Sequence, residues 1–550
     1  MVDEIILRLL LLVPLCGAVC VAMLGPKRIP AIRWVSLAAT LLNLVLAFIV
    51  AMHFIDIRDI ANRKLLWTFE PEFTTVVDIL PFGSTAVQFF IGVDGLNIWL
   101  IVLTALLMVP AVLVSWNSKN TLVRTNEFYA WLLALETAMI GVFLAFDIIL
   151  FYVFFELTLV PLFFLIGIWG GPERRHAARK FFIYTFAGSM ITFLGLLGVV
   201  AFCHFQANVL TFSIPQLIET ANIKFREGDP MVLVVEYWVF LAMMVGFAIK
   251  VPLFPVHTWL PLAHVEAPTA GSVLLAGVLL KIGAYGFLRL CIPLAPDAAL
   301  SVGAPLIGWL SVIGIIYGAL CAMAQEDIKK LVAYSSVSHL GFCLLGMFAL
   351  NVSGLTGSMM QMLNHGLSTG ALFLLVGMLY DRYHTRQMDE YGGMAARLKL
   401  LSLFMVFVCM SSAGLPGLNG FVSEFLIFVG AFAHRPILAI LASSGVVLGA
   451  WYLLRLLYRV FFGPLKEPVH EGHEPIHDLN AREIAALAPI LILCIVLGVY
   501  PQIVMMSMER DINVVVRIAG AAKNRAAKTE LAEKAAGQTL AAAATEEDMQ

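Results

Sequence analysis

Charged residues are scarce in this sequence of 550 residues. Only 13% of the residues are charged and 61% are hydrophobic, against about 25% and about 45 to 50% in ordinary soluble domains. The net charge of −2 gives no support to nucleic-acid binding or to a polybasic membrane tether. Such a composition excludes a soluble globular protein and predicts an integral membrane protein.

Motifs for metals, redox centres and nucleotides are also missing. The eight cysteines are scattered through apolar runs, without a C-x-x-C pair, which argues against an iron–sulfur site. The sequence contains no P-loop and no G-x-G-x-x-G after a strand. His470, His473 and His477 have a metal-like spacing, but a solvated polar loop is the favoured interpretation. We therefore expect no cofactor and no metal in this chain.

Runs of about 20 apolar residues predict fourteen membrane spans, hence an all-α polytopic membrane protein. The polar segment 55–93 is predicted as an outward loop, and the Ala-rich, charged tail as a solvated helix or disorder. The predicted units are residues 1–127 with helices 1 to 3, a five-helix repeat at 128–291, an inverted repeat at 301–461, a cytoplasmic loop and last helix at 462–506, and the tail at 507–550.

Lysine and arginine sort by loop in a way that predicts orientation. An even number of spans puts both termini on one side, and the loops after odd-numbered spans carry most of the basic residues. Because positive charge prefers the cytoplasm, both termini are predicted to face outward. Arg289 counts with the outward loops in this sorting, and Lys329 with the cytoplasmic ones. The first apolar run lacks a basic n-region and an A-x-A site, so we expect a membrane helix there and not a signal peptide. A bacterial inner membrane is favoured over a mitochondrial one.

Two spans carry helix-breaking residues at matching places. The seventh reads FAIKVPLFPVHTWLP and the twelfth reads SSAGLPGLNGFVSEF, with Pro252 matching Pro416. Because these spans are five apart, the two five-helix units would enter the membrane from opposite sides. Inverted repeats with broken helices are typical of transporters. Ordinary proline kinks are the alternative.

Ionisable residues recur inside the predicted spans, where a charge costs at least about 2.5 to 3.5 kcal/mol. They are Glu156, Lys250, Lys281, His339, His365 and Glu424. Acidic and basic groups together suit a proton relay, because burial disfavours the charged form of both. His257, His264 and Glu266 follow the break in the seventh span and suit a cytoplasmic entry. The alternatives are a static Glu156–Lys250 ion pair, histidines bonded to nearby carbonyls, and entry residues that only cap helices. Glu136 could be part of the relay or an interhelical hydrogen-bond site.

The segment Lys250–Arg289 resembles a signature of the antiporter-like proton-pumping subunits of respiratory complex I, shared with Mrp-type sodium/proton antiporters. GVDGLN at 92–97, FFEL in the fifth span, QEDIKKLVAYSSVSHLG at 325–341 and LPGLNGFVSEF at 415–425 support the resemblance. It covers about residues 90 to 500.

The resemblance implies fourteen helices with two inverted repeats, and a Glu156–Lys250 pair, a connecting Lys281 and a terminal Glu424. A glutamate at this last position points to the chain M branch, the counterpart of mitochondrial subunit 4. It implies an NADH:quinone oxidoreductase subunit that translocates protons outward among other membrane subunits. FMN and iron–sulfur clusters are expected in partner subunits of the complex and not in this chain. A cation/proton antiporter subunit and a passive scaffold are the alternatives.

Overall fold

The computed structural model describes residues 2–60, 67–82, 85–118, 122–227, 230–469 and 476–547. The α-helices are α1 Val2–Met23, α2 Ile29–Ile60, α3 Ile98–Val114, α4 Thr125–Leu144, α5 Ile148–Leu157, α6 Leu159–Trp169, α7 Arg174–Ala207, α8 Ile214–Glu227, α9 Pro230–Lys250, α10 Trp259–Glu266, α11 Thr269–Leu274, α12 Leu280–Gly286, α13 Ile292–Leu294, α14 Pro296–Ala298, α15 Ala304–Met323, α16 Ile328–Met347, α17 Val352–Tyr383, α18 Lys399–Ser412, α19 Asn419–His434, α20 Pro436–Phe461, α21 Ala481–Val499 and α22 Gln502–Glu547.

Twelve helical stretches among the described residues are long and apolar enough to cross a membrane. Two predicted spans are not among them, and they coincide with α16 and with the α18–α19 pair. α16 has 20 residues but begins with Lys329 and Lys330, and α18 and α19 are each short. The predicted polytopic helical class is confirmed, whereas the count of fourteen and the inverted repeats stay predictions.

The segment predicted as an outward loop, 55–93, is largely ordered. α2 continues to Ile60, and β1 Glu72–Phe82 pairs antiparallel with β2 Thr85–Val93. Valine, threonine, phenylalanine and isoleucine fill both strands, and these residue types favour pleated structure. The loop prediction is corrected to a β-hairpin. We call the side of the helix bundle that carries this hairpin the hairpin face.

Both predicted breaks are present. α9 ends at Lys250, and α10 begins at Trp259 after a non-helical stretch that contains two prolines, whose backbone nitrogens have no hydrogen to donate. The Trp259 indole donates to the Ile249 carbonyl at 2.9 Å across this break. α18 and α19 are separated by a turn in which Gly414 and Gly417 adopt φ of +76° and +92°. Glycine reaches these angles without Cβ strain.

The eighth span, Thr269–Leu294, is irregular at two points. π-Helical turns at Leu275–Leu279 and Phe287–Cys291 interrupt the α-helix, and every residue of its most apolar window is buried. A π-turn displaces backbone carbonyls from the regular i to i+4 ladder, and such turns frequently occur at functional sites.

The tail is a long helix that packs on the hairpin face. Its first half buries a stripe at helical spacing, formed by Val504, Met508, Asp511, Ile512, Val515, Ile518 and Ala522. Arg510 pairs with Glu70 beside the hairpin, and Arg525 forms a bidentate pair with Asp297 of α14. The segment before the Ala-rich run is amphipathic, which explains why it covers apolar surface. The Ala-rich run continues the same helix to Glu547, in agreement with the solvated-helix alternative.

Candidate functional site

Lys281 is fully buried in α12, two residues after the end of the first π-turn. Its ammonium donates to the Ala276 carbonyl inside that π-turn and lies 2.7 Å from Nδ1 of His365 on α17. Among the described residues, no carboxylate lies within 4 Å of it. The π-turn thus supplies the buried lysine with a neutral acceptor, the Ala276 carbonyl. Its second contact is the imidazole ring of His365, which can itself bind a proton.

His365, His339 and Glu424 continue from Lys281 in a buried row. The His339 and His365 ring centroids are 5.8 Å apart, and Nδ1 of His339 lies 3.4 Å from the Glu424 carboxylate. The Tyr452 hydroxyl lies 3.4 Å from the other His339 nitrogen. Nε2 of His365 has no hydrogen-bond partner in the described structure. Residues from α12, α17, α16 and α19, far apart in sequence, therefore meet in one row.

Lys250 is the last residue of α9 and is buried at the break. Its ammonium donates to the Thr158 hydroxyl at 3.2 Å and sits 4.6 Å from the Phe155 ring centroid. Glu156, which follows Phe155 on α5, lies beside the hydroxyls of Ser189 and Tyr152.

Glu156 and Lys250, the predicted partners, lie within electrostatic range of each other. They form no ion pair within 4 Å in the described structure. One Glu156 oxygen is buried without a hydrogen-bond partner. The static ion pair, one of the sequence-based alternatives, is therefore absent from this conformation, and the amine is held by a hydroxyl and an aromatic face instead.

The three predicted entry residues occupy different environments. His257 lies in the break, stacked on Phe254, with Nδ1 unpartnered. His264 of α10 is fully buried against Phe373, and neither ring nitrogen has a partner among the described groups. Glu266 accepts from the backbone nitrogen of Glu173 at 2.9 Å, where α7 begins. Glu266 thus makes a helix-capping contact. Each of the two histidines has a ring nitrogen without a hydrogen-bond partner among the described groups, and such a nitrogen can bind a proton or a water molecule.

Lys329, which loop sorting counted with the cytoplasmic loops, also lies in this region. It is buried at the start of α16 and donates to the carbonyls of Ala267 and Val265, at 2.6 and 3.4 Å. The His264 ring lies within electrostatic range of both Lys329 and Lys281. The sequence offers one signal for the burial of Lys329, its position two residues after Asp327, the N-cap of α16. In the structure, the first turn of this helix is already buried.

Asp94 and Arg289 form a second site that sequence reasoning missed. Two guanidinium nitrogens contact the two Asp94 oxygens at 2.5 and 2.6 Å, and both side chains are fully buried. Nε of Arg289 donates to the Tyr285 hydroxyl at 3.0 Å. Arg289 therefore belongs to the interior and not to an outward loop, since the irregular eighth span continues past it to Leu294.

Glu136 lies away from the row. It is fully buried in α4 and accepts from the Asn43 amide of α2 at 2.7 Å. Its contact is an interhelical hydrogen bond, one of the two roles expected for it. His470 and His473 lie outside the described residues, and the His477 carbonyl accepts from Arg382.

Comparison with known proteins agrees with this architecture. Residues 145–449 match the family model described as NADH:quinone oxidoreductase/Mrp antiporter, TM. The chain is 40% identical to NADH-quinone oxidoreductase subunit M of Rhodobacter capsulatus over 91% of this chain and 94% of that one. It is 38% identical to NADH-ubiquinone oxidoreductase chain 4 of Arabidopsis thaliana, over 92% and 95%.

A solved relative also superimposes closely. A chain of respiratory complex I from Thermus thermophilus with bound NADH matches with a TM-score of 0.78 and 28% identity, covering 93% of this chain and 99% of that chain. The resemblance carried by the motifs is confirmed. The chain belongs to the NADH:quinone oxidoreductase/Mrp antiporter family of membrane subunits.

Proposed function

We propose that this chain is a proton-translocating membrane subunit of a respiratory NADH:quinone oxidoreductase, of the chain M type. It works among other membrane subunits of the complex. FMN and the iron–sulfur clusters are held by other partner subunits, while this chain carries the pump and no redox centre. The observation that carries the proposal is the buried row Lys281–His365–His339–Glu424, which lies between the two broken helices.

The proton path begins at the break after α9. A proton enters beside His257, reaches Lys250, crosses to Lys281, and moves through the two histidines to Glu424, from which it leaves toward the hairpin face. That face is the outward, periplasmic side in this proposal, and both termini lie there. His264 and Lys329 form a second approach to Lys281 from the opposite face, since the unpartnered imidazole is within electrostatic range of both amines.

Energy arrives from the neighbouring subunits as a movement of charge. When Glu156 lies close to Lys250, its carboxylate stabilises the ammonium; when the two separate, that Coulomb stabilisation falls and the proton moves on. The hydrogen bond from Lys250 to the Thr158 hydroxyl supports such a separated state, because it holds the ammonium without an ion pair to Glu156.

Lys250→Ala in native membranes tests the proposal. The mutant complex should assemble, lose NADH oxidation and acidification of the outward compartment together, and still reduce an artificial electron acceptor. Lys399→Ala removes an exposed lysine at the start of α18 and is the matched control. Unchanged oxidation and pumping in an assembled Lys250→Ala complex would refute the proposed role of Lys250.

A subunit of a multisubunit cation/proton antiporter is the second candidate, because the matching family model also describes Mrp antiporters. That function requires proton movement driven by a sodium gradient without any electron donor. Loss of such exchange in Lys250→Ala, with NADH oxidation unchanged, would favour the antiporter.

A further inference from the structure

A cavity of about 250 Å³ opens on the hairpin face where four spans end and the tail helix crosses them. Its wall is apolar and includes Leu300, Leu345, Phe348 and Leu438, from the ends of α15, α16 and α20. None of the residues of the proposed proton row lines this cavity, so the cavity is a separate site.

Three basic side chains lie at this cavity: His434 and Arg435 at the α19–α20 junction, and Lys523 on α22. No carboxylate lines it. None of the three has an ion pair within the described part of the chain.

Neighbouring basic residues on α22 behave differently. Arg510 pairs with Glu70, Arg517 lies over the Trp67 ring, and Arg525 pairs with Asp297. Lys523 thus differs from them, because it lines the same cavity as His434 and Arg435 and forms no ion pair among the described residues. An anion bound in this cavity would reduce the repulsion between its cationic side chains.

We infer that this cavity binds the headgroup of an anionic phospholipid, with its phosphodiester among His434, Arg435 and Lys523 and the start of its acyl chains on the apolar wall. The cavity sits where spans end, and Arg and Lys side chains donate charge-assisted hydrogen bonds to phosphate oxygens. Phe432, Ile437 and Ile440 beside the basic residues are 57 to 65% exposed, which gives the acyl chains an apolar surface to follow outward. A free phosphate would leave the apolar wall unused.

Photolabelling of the whole complex tests the inference. The complex, purified from native membranes and placed in phosphatidylcholine nanodiscs, receives phosphatidylglycerol with a photoreactive acyl chain, and labelled peptides are identified by mass spectrometry. Wild type should be labelled on the peptide that contains the α19–α20 junction. Arg435→Gln combined with Lys523→Gln should lower the labelling by about fivefold for each positive charge removed.

Two further variants make the result specific. Lys528→Gln removes an exposed positive charge from the same helix outside the cavity and should label like wild type. Arg435→Lys keeps the charge and should retain most labelling, which separates charge from folding.

Unlabelled phosphatidylglycerol should compete, whereas inorganic phosphate should not. The inference is overturned by equal labelling of the double variant, by equal labelling with a phosphatidylcholine probe, by competition from inorganic phosphate, or by label that appears only on a neighbouring subunit seated in the cavity.

Discussion

Replacement of His365 separates a proton carrier from a structural contact. Nδ1 of His365 lies 2.7 Å from the Lys281 ammonium, and both side chains are buried. A hydrogen bond to a charged group contributes about 1.5 to 3 kcal/mol, so a transfer step that needs this bond slows by about 10- to 150-fold without it. His365→Leu removes both the bond and the ring. His365→Gln keeps an oxygen that accepts from Lys281, but this amide does not exchange protons near neutral pH.

We expect both variants to lose NADH oxidation and proton pumping together, because general acid–base transfer contributes about 10²- to 10⁴-fold. Native electrophoresis checks assembly, an artificial acceptor checks the redox partners, and acidification of the outward compartment reports pumping. His384→Gln, an exposed histidine just beyond the end of the same helix α17, is the control and should pump normally. Normal pumping by His365→Gln, with loss only in His365→Leu, would refute the relay and leave the hydrogen bond at this position as a support for Lys281.

Three other changes test the surrounding structure. Arg289→Gln should destabilise the complex by about 3 to 5 kcal/mol, because the Asp94 carboxylate is left buried without its partner; heat inactivation measures this, and Asp94→Asn in the same chain should restore part of the loss. Asp147→Ala should cost about 0.5 to 2 kcal/mol, since Asp147 accepts from the first amides of α5 and from Gln88 of β2; Asp147→Asn should cost less, and equal thermal stability of the alanine variant would contradict the capping role. Thr158→Val should slow pumping by about 10-fold or more with normal assembly, because the hydroxyl that accepts from Lys250 is lost; Thr158→Ser should pump like wild type.

Local features of the fold could be predicted from the sequence, whereas its contacts could not. Apolar runs locate most spans because each must cross hydrocarbon alone, and Pro252 and Pro416 locate the breaks because proline removes a helix donor. The meeting of Lys281 and His365 depends on how α12 packs against α17, which spacing along the chain does not encode.

Loop sorting did not reveal that two of the basic residues, Arg289 and Lys329, are buried. Loop sorting uses only the distance in sequence from the end of a span. Arg289 lies within a π-helical turn of a span that continues past it, and Lys329 lies on a helix turn that is buried from its start. The hairpin was missed because the polar residues and prolines around it suggested turns, although its strands are rich in β-branched residues.

The tail helix also bears on how this protein is made. It follows every span in the chain, yet its residues contact the start of α3 through Ser507 and Asp511, and α14 through Arg525. In the order of synthesis, these contacts come after all the spans that they connect. The contacts that α22 makes on the hairpin face therefore form only once α22 has been synthesised, after the helices beneath it are already in place along the chain.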